Sequence, residues 1–261
     1  MSENEQERTE ERLEERQETK KELSPMDSKF PLLAEFRDKA PGSYKHAQSL
    51  VSMVENVCAA IDIDPDILKM AAMYHDIGKM WSPLSFTENQ GKDDENIHDK
   101  LDPIVSYQII TRHVSDTVVI LVANDFPKDV IRMTSQHHGN CILQAIYENA
   151  KKVDDSFVGR EDLFRYKTPK PDSLESLILM LCDQVEATSR SLYVDQSMDI
   201  DPAVFVSNIY NKLHLDGQFD NVQVLLGKLK KIQAALISDV ASNFQKRIRY
   251  EEDNDLVSES K

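Results

Sequence analysis

The chain has 261 residues, enough for one large domain or two small ones, and is 40% hydrophobic and 30% charged. Its 46 acidic and 31 basic residues leave a formal charge of -15 and a pI of about 4.9, so extended binding to nucleic acid or an anionic membrane is disfavoured. No apolar run approaches the ~20 residues of a membrane span, the Glu-dense N-terminus lacks a secretory signal's apolar stretch, and 7 glycines are few for a turn-dense β fold.

In chain order, residues 1–26 form a charged tail with Glu and Arg in rows four residues apart, disordered or helical. A partner-docking helix is its alternative reading. From Phe30 the pattern becomes helical. Leu50, Val54, Val57 and Ile61 make one stripe after Pro41-Gly42-Ser43. Asp64-Pro65 signals a helix start, with Ile67, Ala71 and His75 on one face and Gly78 as the stop. Asp102-Pro103 repeats the signal, and Val105, Ile109 and His113 follow at four-residue spacing. Pro127 opens a helix carrying Val130, Met133, Thr134 and His137, ended by Gly139.

Asp172 and Glu175 read as a capping box before the apolar run Leu174–Cys182. Asp201-Pro202 starts another helix, and Leu225, Leu229, Ile232, Leu236, Val240 and Phe244 stripe the last. The fold expected is all-α, one domain over 27–250, with an acidic tail over 251–261. Two long irregular stretches, Ser82–Leu101 and Lys151–Pro171, are expected to be functional. Cys58, Cys141 and Cys182 read as core thiols of a soluble cytoplasmic protein.

Chemistry concentrates in the histidines. His46, His75-Asp76, His113 and His137-His138 fall on successive predicted helices, and Asp183 sits within the apolar stretch Leu177–Val185. A carboxylate there needs a cation or several donors. Five imidazoles and two carboxylates spread over five helices suit a metal centre between packed helices. No Cys-x-x-Cys pair supports a zinc finger, and no His-Glu-x-x-His helix is present. Such a ligand set favours Mn, Fe, Co or Zn over Mg or Ca. Lys79 lies just beyond the first His-Asp pair, and Arg190 lies two helical turns after Asp183 on the same side. His98, Tyr166 and Lys170 lie on the long loops, while Trp81 and His214 read as structural.

The order His46, His75-Asp76, Asp183 resembles the HD superfamily of metal-dependent phosphohydrolases. The string His75-Asp76-Ile77-Gly78-Lys79, with His113, His137-His138 and Asp183, is similar to its two-metal phosphodiesterases. Flanking blocks narrow the likeness: Ala40-Pro41-Gly42-Ser43-Tyr44, Glu88-Asn89-Gln90, His98-Asp99-Lys100-Leu101, Phe164-Arg165-Tyr166, Pro169-Lys170-Pro171, Val185-Glu186-Ala187, Ser189-Arg190 and Asp216-Gly217-Gln218. From about Asp27 to Tyr250 they resemble the catalytic domain of the seven-transmembrane-receptor HD family. That resemblance implies an HD-domain helical bundle with a two-metal site and hydrolysis of cyclic di-AMP to linear pApA through a metal-bridging hydroxide. One ion would be held by His46, His75, Asp76 and Asp183. A second, bridged by Asp76, would be held by His113, His137 and His138, with Mn or Fe as the implied metals.

Asp76 and Lys79 would be catalytic, and His98, Arg190, Tyr166 and Lys170 would contact substrate. The family's membrane helices and receptor region are not in this sequence; the charged tail stands in their place. Gln245 replaces the His the family often has before Arg-Ile-x-Tyr, and the Gly-Tyr-Pro signature of cyclic di-GMP-specific relatives is absent after Gly139. The alternatives are an HD hydrolase of cyclic di-GMP, a linear dinucleotide or a nucleoside phosphate, and a non-catalytic cyclic-dinucleotide sensor.

Overall fold

A computed structural model describes residues 23–91, 94–194 and 201–258. Most of the expected N-terminal tail and the last three residues of the acidic C-terminal tail lie outside the described residues. Nine α-helices are described: α1 Pro31–Lys39, α2 Pro41–Ile61, α3 Asp66–Tyr74, α4 Pro103–Ala123, α5 Lys128–Gln136, α6 Gln144–Val153, α7 Leu174–Val194, α8 Pro202–Leu215 and α9 Leu226–Ser258. Among the described residues no strand forms beyond an isolated bridge between Ile142 and Arg165. The all-α expectation holds. No helix among them is long and apolar enough to cross a membrane.

The middle helix is α7. Leu177, Ile178, Leu179, Met180, Leu181 and Cys182 are all buried, and a helix apolar on every side must be surrounded. It is: α2, α3, α5, α8 and α9 all pack on it. Each fully buried aliphatic side chain contributes about 1.5–3 kcal/mol, which fixes α7 and carries Asp183 into the interior. The stripe Leu50, Val54, Val57 and Ile61 of α2 is buried, as are Ile232, Leu236 and Val240 of α9.

Helix starts follow the local signals in part. The side chains of Asp102 and Asp201 accept from the N–H groups of Ile104 and Ala203, with proline next in each case. At α7 the cap is Ser173, whose hydroxyl accepts from the Ser176 N–H, while Asp172 pairs with Arg132 at 2.6 Å. Pro65 takes the cap position of α3, and Asp64 accepts from the Asp66 N–H.

Three positions of the expected apolar stripes are exposed: Ile67, Val105 and Leu225, the last of which precedes the first residue of α9. Four-residue steps drift about 40° each around a helix, so Val105 lies well away from His113. The buried seam of α4 is Ser106, His113, Val114, Thr117, Ile120 and Leu121. Helices α1 and α6 were not individually legible in the periodicity. The last helix continues to Ser258, into the stretch expected to be a tail.

Gly78 does not end a helix. It permits a close approach to α4, where an added Cβ would lie 2.2 Å from the His113 carbonyl oxygen and 2.6 Å from the Thr117 nitrogen. The Gly78 N–H donates to the Thr117 hydroxyl at 3.0 Å, and that hydroxyl donates to the His75 carbonyl at 3.1 Å. Among its described residues the stretch Ser82–Leu101 contains three single 3-10 turns, and it crosses the start of α2. There the side-chain Oδ1 of Asn89 accepts from the N–H groups of Gly42 and Ser43 at 2.9 and 3.1 Å, so a side chain from the loop caps the helix.

A second small core of Ile146, Tyr147, Ala150 and Phe164 joins α6 to the stretch after it. It braces Arg165-Tyr166, whose position is also set by the Tyr107 hydroxyl donating to the Arg165 carbonyl at 2.6 Å.

At Gly42 an added Cβ would lie 1.7 Å from the Glu88 carbonyl oxygen. Gly42→Ala is therefore expected to lower stability by about 1–3 kcal/mol. Gly227→Ala, where a Cβ meets nothing within 4 Å, is expected to be neutral or slightly stabilising. Paired urea-unfolding midpoints check both.

Candidate metal centre

All seven expected ligand residues converge. His46 comes from α2, His75-Asp76 follow α3, His113 lies in α4, His137-His138 follow α5, and Asp183 lies in α7. Three overlapping groups have donor atoms close enough for one cation: Asp76, His113, His137 and His138; His46, His75 and Asp76; and His75, His137 and Asp183. Asp76 divides its oxygens between the first two. Oδ1 lies 3.2 Å from His113 Nε2 and 3.8 Å from His137 Nε2, while Oδ2 lies 3.2 Å from His75 Nε2. Asp183 Oδ1 is 3.0 Å from His46 Nε2 and 3.7 Å from His75 Nε2, and its Oδ2 is 3.7 Å from His138 Nδ1.

Hydrogen bonds on the far side of each ring set which nitrogen faces inward. Nδ1 of His75, His113 and His137 lies 2.8, 2.6 and 2.5 Å from the carbonyl oxygens of Ala72, Ile110 and Thr134. A carbonyl only accepts, so each Nδ1 carries a proton and Nε2 is the ring nitrogen that faces inward, the one left to offer a lone pair to a cation. His113 Nε2 and His137 Nε2 then stand 3.4 Å apart. His75 Nε2 and Asp76 Oδ1 make no hydrogen bond among the described residues. Buried lone pairs facing one another are unfavourable unless a cation lies between them. The donor set fits a divalent metal on that ground.

Electrostatics agree. Burial would raise the Asp76 carboxyl, but its neighbours His75 and Lys79 hold it well below the usual carboxylate range. Burial would also raise Asp183, and the His46 hydrogen bond overrides it downward. His137 is pushed down to about 3 by burial and by His75, and His138 goes well below its usual value by burial and by His137. Both rings are neutral at physiological pH. Burial works to lower His46, yet hydrogen bonds to Asp183 and Glu186 push it up to about 9. The space between those carboxylates favours positive charge.

The expected catalytic lysine is in contact with the cluster. Lys79 Nζ is 2.7 Å from Asp76 Oδ2 and 2.8 Å from Glu88 Oε1. Burial opposes its charge, and Asp76 and Glu88 raise its pKa in spite of that. Ser43 donates to Glu88 at 3.0 Å, so the loop cap and the lysine share one carboxylate.

Of the expected substrate contacts, Tyr166 lies against the cluster, its ring 4.4 Å from that of His138 and tilted 30°. Arg190 pairs with Glu186 at 3.4 Å, and Glu186 in turn meets His46 Nδ1. His98 is apart from the clustered donors, its Nε2 2.9 Å from the Ser85 carbonyl oxygen. Lys170 is engaged with the Gly217 carbonyl at 2.8 Å and with Asp220. Trp81, expected to be structural, is 47% exposed.

Sequence reasoning quoted Glu88 and Glu186 in motif blocks but gave them no role. The three-residue step from Asp183 to Glu186 on one helix was the available signal. Arg165-Tyr166 and Asp216-Gly217-Gln218 prove to be partners. Arg165 binds Asp216 through two bonds of 2.7 and 3.1 Å, and Gln218 donates to Asn140 and to Asp216 beside Gly139. Gly139 adopts a φ of 51°, and a Cβ there would meet Gln218 Oε1 at 2.3 Å. Glycine fits this turn both by conformation and by space.

Glu88 yields a pH prediction. Burial would raise it, but the Lys79 charge holds it down to about 2, against an ordinary 4.5. The folded pKa is depressed, so its contribution is present above pH 4.5 and fades as pH falls toward 2. Glu88→Gln is expected to lose about 3 kcal/mol at pH 7. Its stability should approach that of the wild type as pH falls from 4.5 to about 2, read from unfolding curves across that range.

Comparisons place the geometry among known proteins. The HD domain family model matches residues 43–188. Over 222 residues the chain is 35% identical to "Cyclic-di-AMP phosphodiesterase PgpH" of Bacillus subtilis (strain 168), covering 85% of this chain and 30% of that protein. The protein of the same name from Listeria monocytogenes serotype 1/2a (strain 10403S) is 33% identical over 225 residues, with 86% and 31% covered. The crystal structure of the L. monocytogenes PgpH HD domain matches with a TM-score of 0.73 at 33% identity, over 82% of this chain and 99% of that one. The same domain in complex with cyclic-di-AMP gives 0.74 at 32% identity, over 82% and 97%. The chain thus spans under a third of the length of these two curated relatives.

Proposed function

The chain belongs to the HD-domain family, and from that premise we propose that it is a metal-dependent phosphodiesterase that hydrolyses cyclic di-AMP to linear pApA. The observation that carries the reading is the buried cluster in which Asp76 is shared by two sets of donors. The likeness to a domain whose structure was solved with cyclic-di-AMP supports the choice of substrate.

One set for a cation is His46, His75, Asp76 and Asp183; the other is Asp76, His113, His137 and His138. Nitrogen-rich sets of this kind favour transition metals, and Mn or Fe is the identity proposed here. When bound, two such ions supply Lewis acidity that activates water near neutral pH and offsets charge on phosphoryl oxygens. The chain's own part is to hold the donors still. Lys79 fixes Asp76 Oδ2, and Glu88 fixes Lys79. Both side chains are only 13% exposed, so their mutual attraction is partly shielded from solvent screening.

Net hydrolysis adds one water across one P–O3′ bond, leaving a 5′-phosphate and a free 3′-hydroxyl. Tyr166 offers a ring edge and face beside His138 for an adenine. Arg190, partly exposed and anchored on Glu186, reaches for a phosphate. His98 and Lys170 shape the loops that frame the site, through Ser85 and through Gly217. Cys58, Cys141 and Cys182 are unpaired, which suits a reducing, cytoplasmic setting. The charged N-terminal tail remains a proposed contact for a protein partner.

Protein reconstituted with Mn or Fe is expected to convert cyclic di-AMP to pApA, with chelation abolishing turnover. His75→Ala and Asp76→Asn should each lower kcat by more than about 100-fold, beyond the loss that outer-shell changes produce. Chromatography of the nucleotides reads the outcome. Intact cyclic di-AMP with metal-loaded wild type, or faster turnover of cyclic di-GMP, overturns the substrate assignment; tight binding without turnover favours a sensor.

A further inference from the structure

Four ligand rings bury an Nε2 in the cluster, but they are not held alike. His75, His113 and His137 each lean on a main-chain carbonyl three residues earlier in their own segment. Their orientation is inherited from the local backbone. His46 differs: its Nδ1 meets the carboxylate of Glu186, which comes from α7. The Glu186 side chain is 13% exposed, and Arg190 one turn further along α7 closes on the same oxygen, Oε2, at 3.4 Å. Asp183 and Glu186 lie three residues apart on one helix face and bracket the His46 ring, one carboxylate at each nitrogen.

We propose that Glu186 is a positioning residue for the metal centre, orienting His46 and strengthening it as a donor, with Arg190 holding Glu186 in place. The proposal rests on the metal-binding reading above. A carboxylate can only accept, so Nδ1 keeps its proton on Glu186, and Nε2, which faces Asp183 Oδ1 at 3.0 Å, is the nitrogen that would exchange its proton for a cation. An anionic acceptor also enriches the imidazole more than a neutral carbonyl does, and such outer partners shift metal affinity by about 10–100-fold. His46 is the only clustered imidazole that depends on another helix's side chain in this way among the described residues. The subsite it serves should therefore be selectively sensitive to α7. Among the described residues His113, His137 and His138 make no hydrogen bond or ion pair with Glu186, so the second subsite serves as an internal control.

The test is a Mn²⁺ titration of the metal-stripped 261-residue chain, read by calorimetry and by electron paramagnetic resonance. Wild type should take up two equivalents and show the spectrum of a coupled pair. Glu186→Ala should bind one equivalent as wild type does and the other about 10–100-fold more weakly, so that a single-ion spectrum persists at low Mn²⁺. Glu186→Gln keeps an oxygen that accepts from Nδ1 and should recover much of that affinity. Arg190→Ala should show a smaller loss on the same equivalent.

Unchanged binding of both equivalents by Glu186→Ala overturns the proposal while leaving the metal centre intact. Equal weakening of both equivalents overturns it too, because that is the signature of a general structural defect. If wild type binds no Mn²⁺, the underlying metal reading fails first.

Discussion

Buried negative charge and inward-facing lone pairs must be compensated, and that requirement organises this protein. Asp76 and Asp183 sit deep between helices, and at least three imidazole nitrogens turn toward them with their protons on the far side. Removing such groups from water costs several kcal/mol each unless opposite charge is near. Lys79 meets part of the need at Asp76 Oδ2, and His46 meets part at Asp183. Asp76 Oδ1 and His75 Nε2 are still without hydrogen bonds among the described residues. A cluster of this composition persists because the apolar core around α7 over-determines it, and its remaining deficit is what a cation would fill.

The surrounding irregular segments are ordered by the same economy of polar groups. Asn89 satisfies the first amides of α2, and its neighbour Glu88 carries the ion pair with Lys79. Thr117 ties the turn after His75 to α4 through Gly78. Arg165, Asp216, Gln218 and Asn140 form one network beside Gly139, which brings the His137-His138 turn and Tyr166 into register. Each device links an element that carries a ligand to a loop that frames the site. Glycine occurs where two backbones come within the space of a methyl group, at Gly42 and Gly78.

Much of this was legible before any coordinates. Proline-led helix starts and apolar stripes identified α2, α3, α4, α5, α7, α8 and α9, and the ligand residues were recognisable from residue type and order. What was lost has physical reasons. Regular four-residue steps wander off a helix face, which misassigned Ile67 and Val105. Helix α6 has only ten residues and three buried positions, too short for periodicity to stand out. Ser173 displaced Asp172 as the cap because Asp172 had Arg132 within reach. Glu88 acts through Lys79 and Ser43, and Glu186 through His46, which lies 140 residues away; the three-residue step from Asp183 marks the shared helix face but does not encode that distant partner.

The central claim is that Asp76 joins two cation subsites within one buried cluster. Elemental analysis of the dialysed, Mn-reconstituted protein beside an Asp76→Ala variant tests it most directly. The account predicts two metal equivalents per chain for the wild type and loss of both for the variant. One equivalent or none in the wild type, or two retained by the variant, would contradict it.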